Sequence, residues 1–309
     1  MEFSVELTTA MMEDCARLGE LAARGVTAVS APIGYVESVS RGQLRETAAA
    51  FKARGVKIDT AHPRYGSYNT ADSLVNQYKA PRGLYVEQLK ETLDRMSILG
   101  VRVAPLHTGG CCLIGAPQWA AEMCAETVNA VAGAASDAGI TLALENTFFH
   151  VPNRWDGCGS LDAPAQSFGV EYDNVAKLCA LIDSIGSPVV RACFDAGHAH
   201  YLGDLTCDHA AMGGRIALYH VHDNYRANDS HLPPGYGTLD WEALGTLIKS
   251  GGYASPVYIE AGPWMNCGYP LMVRQTRALL NGGRQGENRR CMVCGNLILT
   301  DEDGMFCAC

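Results

Sequence analysis

Carboxylate and histidine side chains recur at the ends of short β-branched runs in this sequence. Four runs finish on or next to Glu145, Asp195, His220 and Glu260. If these ends meet at one edge of a sheet, three carboxylates and one imidazole surround a single point. Carboxylates buried together repel one another, and a divalent cation removes that cost. An oxygen-rich ligand set with one imidazole favours Mn²⁺, Mg²⁺ or Co²⁺, with Zn²⁺ as an alternative.

The other histidines follow the same distribution. Eight of the nine histidines lie at or just beyond the end of a run, and only His209 lies elsewhere. A lone histidine in such a place is more often a hydrogen-bonded core residue than a ligand. Because so many of them share one position relative to the runs, we expect a common site.

The elements that must position these residues are repeated βα units. Eight strand-like runs alternate with segments of helical period, at 2–8, 26–31, 56–62, 101–107, 140–146, 189–195, 216–222 and 256–260. Several helical segments close on glycine, where a left-handed cap favours that residue, namely at Gly25, Gly55, Gly100 and Gly139. Eight such units in ~280 residues predict an α/β fold, a (β/α)8 TIM barrel. A doubly wound open sheet is the alternative, but no GxGxxG motif follows an early strand.

The domain organisation is predicted from the loops and the last residues. Long loops at 147–172 and 223–240 fall on the C-terminal face of the barrel, where such barrels carry their chemistry. A polar, glycine-rich stretch after residue 281 reads as a linker, so we expect a barrel at 1–283 and a separate tail at 284–309. The tail contains Cys291, Cys294, Cys307 and Cys309 around a segment typical of a β-hairpin. This spacing predicts a small zinc-ribbon-like appendage with Zn²⁺ on four thiolates, and a tail with fortuitous cysteines is the alternative.

Composition limits the function classes. The chain of 309 residues carries 24 Lys+Arg against 33 Asp+Glu, a formal charge of -9, so nucleic acid is not the expected partner. No stretch approaches the ~20 uninterrupted apolar residues of a membrane helix, and the acidic N-terminal segment is unlike a signal peptide. We therefore expect a cytoplasmic protein with no membrane partner. The remaining nine cysteines are expected to be small buried hydrophobic residues.

Five motifs in order along the chain resemble one known superfamily. They are LALENT at Glu145, CFDAGHAH at Asp195, YHVHDNYR at His220, DSHLPPGYG from Asp229, and IEAGP at Glu260. This pattern resembles the xylose-isomerase-like TIM barrels, which include sugar isomerases and epimerases and endonuclease IV. The resemblance covers residues 1 to about 281 and is specific for the superfamily but not for a substrate.

The ketose 3-epimerase branch of this superfamily implies roles for individual residues. By position, Glu145, Asp195, His220 and Glu260 would bind the metal, and the two glutamates would also act as the acid and base. His198 and Arg226 would contact substrate oxygens. This implies a metal-dependent sugar or keto-polyol isomerase or epimerase that removes a proton next to a carbonyl through a metal-bound enediolate. The chain departs from the branch at Val151, where a further glutamate is expected.

Three other functions remain open. The endonuclease IV branch has matches for its additional ligands in His62, His107, Asp229 and His231, although we prefer substrate binding or ligand orientation for these histidines. A lyase or dehydratase on a keto-sugar or 3-keto-glycoside could use the same barrel, with His150 and His222 as extra acid or base candidates. An inactive barrel with an assembly role is the third.

The remaining expectations concern the pocket wall and assembly. Trp264 follows Glu260 closely and is the aromatic residue that we expect to line the pocket. Members of this superfamily often associate, so a homo-oligomer or a partner subunit is expected beside the small-molecule substrate.

Overall fold

The computed structural model describes residues 1–65, 73–76, 78–108, 117–147, 175–252, 256–261, 268–283, 298–301 and 304–307. Within these ranges, eight parallel strands form a closed barrel in sequence order, with β1 paired to β8. The strands are β1 Phe3–Glu6, β2 Ala28–Ser30, β3 Lys57–Thr60, β4 Val103–His107, β5 Thr141–Glu145, β6 Val190–Asp195, β7 Ile216–Val221 and β8 Val257–Ile259. The predicted TIM barrel is confirmed, and each observed strand falls inside a predicted run.

Helices follow the strands around the barrel. They are α1 Thr9–Glu13, α2 Cys15–Ala23, α3 Ile33–Ser38, α4 Arg41–Ala53, α5 Lys79–Leu99, α6 Pro117–Ala138, α7 Val175–Ile185, α8 Ala196–Leu202, α9 Leu205–Met212, α10 Trp241–Ser250 and α11 Tyr269–Leu280. Between β1 and β2 the chain forms two helices, because Asp14 ends the first and its side chain accepts a hydrogen bond from Arg17 N at 2.9 Å as the N-cap of the second. The glycines predicted to cap helices have positive φ, +88° at Gly25 and +89° at Gly100.

Two hydrophobic layers hold the barrel. Apolar residues fill the space between the strands and the helices, including Val29, Leu93 and Met96, which are all buried. A separate small cluster inside the barrel lies beneath the mouth and consists of Val103, Ala143, Cys193, Leu218 and Tyr258. Because this inner layer is packed, the interior is a solid floor rather than a channel, and ligands can approach only from the ends.

In the tail, β9 Ile298–Asp301 and β10 Gly304–Cys307 form an antiparallel pair, in agreement with the predicted hairpin. Cys291, Cys294 and Cys309 lie outside the described residues, so the predicted zinc site stays a prediction. Among the helices that the structure describes, none has the length and apolar character to cross a membrane.

Candidate metal centre

Four side chains meet at the C-terminal mouth of the barrel and form what we call the central cluster: Glu145, Asp195, His220 and Glu260. One ligand atom from each lies within 4.8 Å of the others. His220 Nδ1 is 3.0 Å from Glu260 Oε2, 3.5 Å from Glu145 Oε2 and 3.8 Å from Asp195 Oδ2. The structure therefore brings together the four residues that the strand ends singled out.

The sheet register explains this convergence. Glu145 and Asp195 are the last residues of β5 and β6, and Asp195 is paired with His220 on β7. Glu260 comes directly after β8, where its backbone nitrogen donates to the carbonyl of Val221 at 3.0 Å. Because side chains alternate along a strand, residues at the same level on neighbouring strands point into the same layer of the barrel.

The central cluster fits a cation by its unsatisfied atoms. Glu145, Asp195 and His220 are fully buried. In the part of the chain that the structure describes, six buried atoms lack a well-aligned hydrogen bond, namely Glu145 Oε1 and Oε2, Asp195 Oδ2, His220 Nδ1 and Nε2, and Glu260 Oε2. Buried polar atoms without partners are costly, and a bound divalent cation would satisfy this set.

A first flanking cluster consists of His62, His107 and Glu145, whose ligand atoms also lie within 4.8 Å of one another. His62 Nε2 is 3.9 Å and His107 Nε2 is 3.6 Å from Glu145 Oε2. Tyr65 covers this cluster, because its ring stacks on the His107 imidazole at a centroid distance of 3.9 Å while remaining 58% exposed. Glu145 therefore faces two groups of possible ligands at once.

A second flanking cluster consists of His198, His222, Asp229 and His231. Asp229 lies between the imidazoles, with Oδ2 at 2.9 Å from His231 Nε2 and 3.5 Å from His198 Nε2. His222 Nε2 is 3.3 Å from Asp195 Oδ1, which links this cluster to the central one. The rings of His222 and His231 stack at 4.0 Å.

Three of these histidines are oriented by backbone carbonyl groups. Nδ1 of His62 donates to the carbonyl of Pro63 at 2.8 Å, and Nδ1 of His231 donates to the carbonyl of Glu260 at 2.8 Å. Nδ1 of His198 lies 3.0 Å from the carbonyl oxygen of Asn146. Nε2 of each ring then faces a carboxylate oxygen, 3.9 Å from Glu145 Oε2 for His62 and 3.5 Å and 2.9 Å from Asp229 Oδ2 for His198 and His231. The carbonyl groups therefore fix the orientation of these rings toward the clusters.

The electrostatics of the clusters favour ionised carboxylates. Burial raises the pKa of Glu145, but the imidazoles of His220 and His107 outweigh it, so this pKa lies well below its usual range. Burial lowers the pKa of His198, but Asp195 and the other neighbouring carboxylates outweigh it and raise this pKa to about 10. For His107, burial prevails and lowers the pKa to about 4. The mouth therefore presents anionic oxygens beside at least one neutral imidazole.

A buried carboxylate supports the loop that carries Asp229 and His231. Asp223 Oδ1 accepts from the backbone nitrogen atoms of Asn224 and Leu239, each at 3.0 Å. Its Oδ2 accepts from Gly235 N and from Trp241 Nε1, each at 2.9 Å. This one side chain connects the start of the loop to its end, and so fixes the position of Asp229 and His231 between them.

Some predicted site residues are placed elsewhere or are not described. Arg226 is exposed, and its backbone has a φ of +61°, held by a hydrogen bond from its nitrogen to Asn224 Oδ1 at 2.9 Å. No contact between Arg226 and the three clusters is recorded in the described ranges. His150 and Trp264 lie outside the described residues.

Three residues beside the clusters were not predicted from the sequence. Glu6 ends β1 and Tyr258 lies in β8, where its hydroxyl donates to Glu6 Oε2 at 3.3 Å. Tyr65 is the third, beside the first flanking cluster. The signal for Glu6 was available, because it is an acidic residue at the end of a strand like the four that were singled out.

Comparisons with known proteins agree with this architecture. The model of the xylose isomerase-like TIM barrel family matches residues 15–270. A D-tagatose 3-epimerase-like protein superposes with a TM-score of 0.68 at 20% identity, covering 91% of this chain and 95% of that protein. An L-ribulose 3-epimerase gives 0.68 at 18% identity, covering 91% and 94%. The 3-keto-D-glucoside 4-epimerase from E. coli gives 0.67 at 14% identity, covering 91% and 99%.

At these identities the structural likeness shows the fold alone. A closer sequence relative is an uncharacterized protein of Sinorhizobium fredii, 36% identical over 91 residues. That match spans only 28% of this chain and 29% of the relative.

Proposed function

The chain belongs to the family of xylose isomerase-like TIM barrels, as its five motifs predict, and on that premise we propose that it is a divalent-metal-dependent isomerase or epimerase of a sugar or keto-polyol. The observation that carries the proposal is the central cluster. Two glutamates on rigid strand ends share one site with Asp195 and His220, and six buried atoms of this group lack hydrogen bonds in the described part of the chain.

The chain's own residues would divide the work as follows. Glu145, Asp195, His220 and Glu260 hold the cation, which when bound supplies Lewis-acid polarisation of the substrate carbonyl. One of the two glutamates removes the proton from the carbon next to the carbonyl, and the other returns a proton to that carbon or to its neighbour. In the proposed isomerase or epimerase, substrate oxygens would accept or donate hydrogen bonds at four histidines, His62, His107, His198 and His231.

Mn²⁺, Mg²⁺ or Co²⁺ fits the three carboxylates and one imidazole, with Zn²⁺ as an alternative. The neighbouring folds support the substrate class, because the proteins they belong to are described as a D-tagatose 3-epimerase-like protein, an L-ribulose 3-epimerase and a 3-keto-D-glucoside 4-epimerase. A small neutral carbohydrate suits a mouth lined with anionic oxygens better than a large polyanion does.

The test measures ketose turnover and deuterium incorporation in deuterated water, with D-fructose, D-tagatose and L-ribulose as substrates. We expect the protein to bind one manganese-like ion in the barrel and to place deuterium on the carbon next to the carbonyl. Glu145→Gln and Glu260→Gln should each abolish turnover. The matched control is Glu20→Gln, because Glu20 is exposed on α2 and its carboxylate pairs with Arg17.

Two results would contradict the proposal. One is full turnover by Glu260→Gln, and the other is the lack of any exchange by the wild-type protein on all three ketoses. A dehydrated product from a keto-sugar would move the assignment to the lyase that shares the same proton abstraction.

A second candidate is a three-metal phosphodiesterase, because the two flanking clusters provide further ligand sets beside the central one. The formal charge of -9 disfavours a DNA substrate. Cleavage of DNA containing an abasic site, together with three zinc ions in the barrel, would favour this candidate. We expect neither.

For the tail, we propose a structural Zn²⁺ held by Cys291, Cys294, Cys307 and Cys309. Metal analysis of Cys291→Ser beside the wild type should show the loss of one zinc per chain with the barrel ion retained. Equal zinc content in both proteins would remove the tail site. We further propose a cytoplasmic homo-oligomer or partner subunit, to be checked by cell fractionation and light scattering.

A further inference from the structure

Glu6 is a carboxylate at the mouth that is not part of any of the three clusters. It ends β1, and β1 and β8 are in register with Val5 opposite Ile259, so the next residues, Glu6 and Glu260, stand at the same level on neighbouring strands. Neighbouring strands are about 4.8 Å apart. Glu6 therefore extends the ring of acidic side chains by one strand beyond Glu260.

The Glu6 carboxylate is open to the mouth and is held from below. The side chain is exposed, whereas the Tyr258 hydroxyl that donates to its Oε2 at 3.3 Å belongs to a residue that is only 2% exposed. The Tyr258 ring also packs edge-on against the His220 imidazole, with centroids 4.8 Å apart. Tyr258 thus connects Glu6 to the floor of the central cluster.

Partial burial in the mouth raises the pKa of Glu6, and the neighbouring Glu260 carboxylate adds to this. The hydrogen bond from Tyr258 lowers this pKa, and so do His62 and His220. The register of β1 and β8 places Glu6 at the level of Glu260, beside the central cluster. A carboxylate in this position accepts hydrogen bonds from hydroxyl groups and repels other anions.

We propose that Glu6 forms a subsite for a neutral sugar hydroxyl beside the cation site, and that Tyr258 is the positioning residue of its carboxylate. The inference rests on the proposed function and narrows it to unphosphorylated sugars. Oε2 is held by Tyr258, and Oε1 is available to accept from the substrate. A phosphate at this place would meet the charges of both Glu6 and Glu260.

The experiment compares neutral and phosphorylated ketoses at pH 8 with the Mn²⁺-loaded protein. The substrates are D-fructose, D-tagatose, L-ribulose, D-fructose 1-phosphate and D-fructose 6-phosphate. For Glu6→Gln we expect kcat/KM for the best neutral ketose to fall about 10- to 100-fold. We expect kcat/KM for at least one phosphorylated ketose to stay constant or rise, so that the preference for neutral sugars shrinks.

Two further variants separate binding from structure. Tyr258→Phe should change the preference in the same direction by a smaller factor, because the carboxylate remains but is no longer held. Glu20→Gln is the matched control, since Glu20 is exposed on α2 with Arg17 as its ion-pair partner.

Binding can also be measured without turnover, by calorimetric titration of the same neutral ketose into the metal-free protein. Its affinity should fall about tenfold in Glu6→Gln.

The outcomes distinguish the inference from the function that it rests on. If Glu6→Gln leaves kcat/KM unchanged, or lowers it equally for neutral and phosphorylated ketoses, the subsite is wrong while the proposed function stands. If the wild-type protein neither binds nor converts any ketose, both are wrong.

Discussion

Replacing Gly197 with alanine should displace His222 and dismantle the second flanking cluster. Gly197 lies in α8, two residues after Asp195. A Cβ atom at this position would lie 2.1 Å from Cε1, 2.3 Å from Nε2 and 2.5 Å from Nδ1 of His222. Ordinary contacts of this kind begin at 3.4 Å, so the imidazole must move away by about 1.3 Å.

His222 has no free space for this movement. The residue is fully buried, and its other face is covered by the His231 ring at 4.0 Å. Overpacking costs about 1–3 kcal/mol, and walls on both faces of the ring favour the upper end. Alanine in a helix recovers about 0.5–1 kcal/mol relative to glycine. We therefore expect the free energy of unfolding to fall by about 2 kcal/mol.

Urea unfolding of the metal-free protein measures this change. Titration with Mn²⁺ measures whether displacement of His222, whose Nε2 lies 3.3 Å from Asp195 Oδ1, weakens ion binding at the central cluster. The matched control is Gly133→Ala on the exposed side of α6, where an added Cβ meets nothing within 4 Å. That variant should gain about 0.5–1 kcal/mol. If Gly197→Ala behaves like Gly133→Ala in both measurements, the close packing of His222 against α8 is wrong.

Three further predictions concern other parts of the barrel. Burial raises the pKa of Asp59 to about 6, so the folded state holds a proton there that the unfolded chain, with the ordinary value of 3.8, has already released. The free energy of unfolding should therefore decrease as pH rises from about 4 to 6. At pH 7, Asp59→Asn should be more stable than the wild type by up to about 3 kcal/mol. Urea unfolding of both proteins at about pH 4 and at pH 7 measures the two effects. Trp241→Phe removes the indole donor to Asp223 and should lower the free energy of unfolding by about 1.5–3 kcal/mol. A change below about 0.5 kcal/mol would show that this hydrogen bond does not stabilise the protein. Removal of bound metal with a chelator should lower the thermal midpoint and abolish turnover, and added Mn²⁺ should restore both, whereas an unchanged midpoint would indicate that no ion stabilises the mouth.

The barrel could be predicted from the sequence because the patterns that indicate its strands and turns are local. Each strand is a short apolar run, and a glycine such as Gly100 or Gly139 marks the left-handed turn before the next one. The short helix α8 was not predicted, because it begins directly after Asp195 and its histidines were interpreted as part of a site motif rather than as a helix. Local propensity is weak for such a segment, and its conformation depends on packing against β7.

The candidate site could be predicted only in part for a similar reason. Residue type and position identified the central cluster, but the grouping of His198 and His222 with Asp229 depends on the loop held by Asp223. Four hydrogen bonds to one buried carboxylate are a tertiary feature that no periodicity reveals. Glu6 also lies near the end of a strand-like run, but its place beside Glu260 follows from the pairing of β1 with β8, which the local sequence does not indicate.

The pairing of β1 with β8 also sets the moment at which the mouth can be completed during synthesis. Glu6 and Tyr258 are separated by 252 residues along the chain and touch in the folded protein. A ribosome adding ~5–20 residues per second needs about 13–50 s to make that stretch. During this interval Glu145, Asp195 and His220 emerge without Glu260, so the four side chains of the central cluster cannot yet meet. The cluster is therefore complete only after translation has passed the eighth strand and β8 has paired with β1.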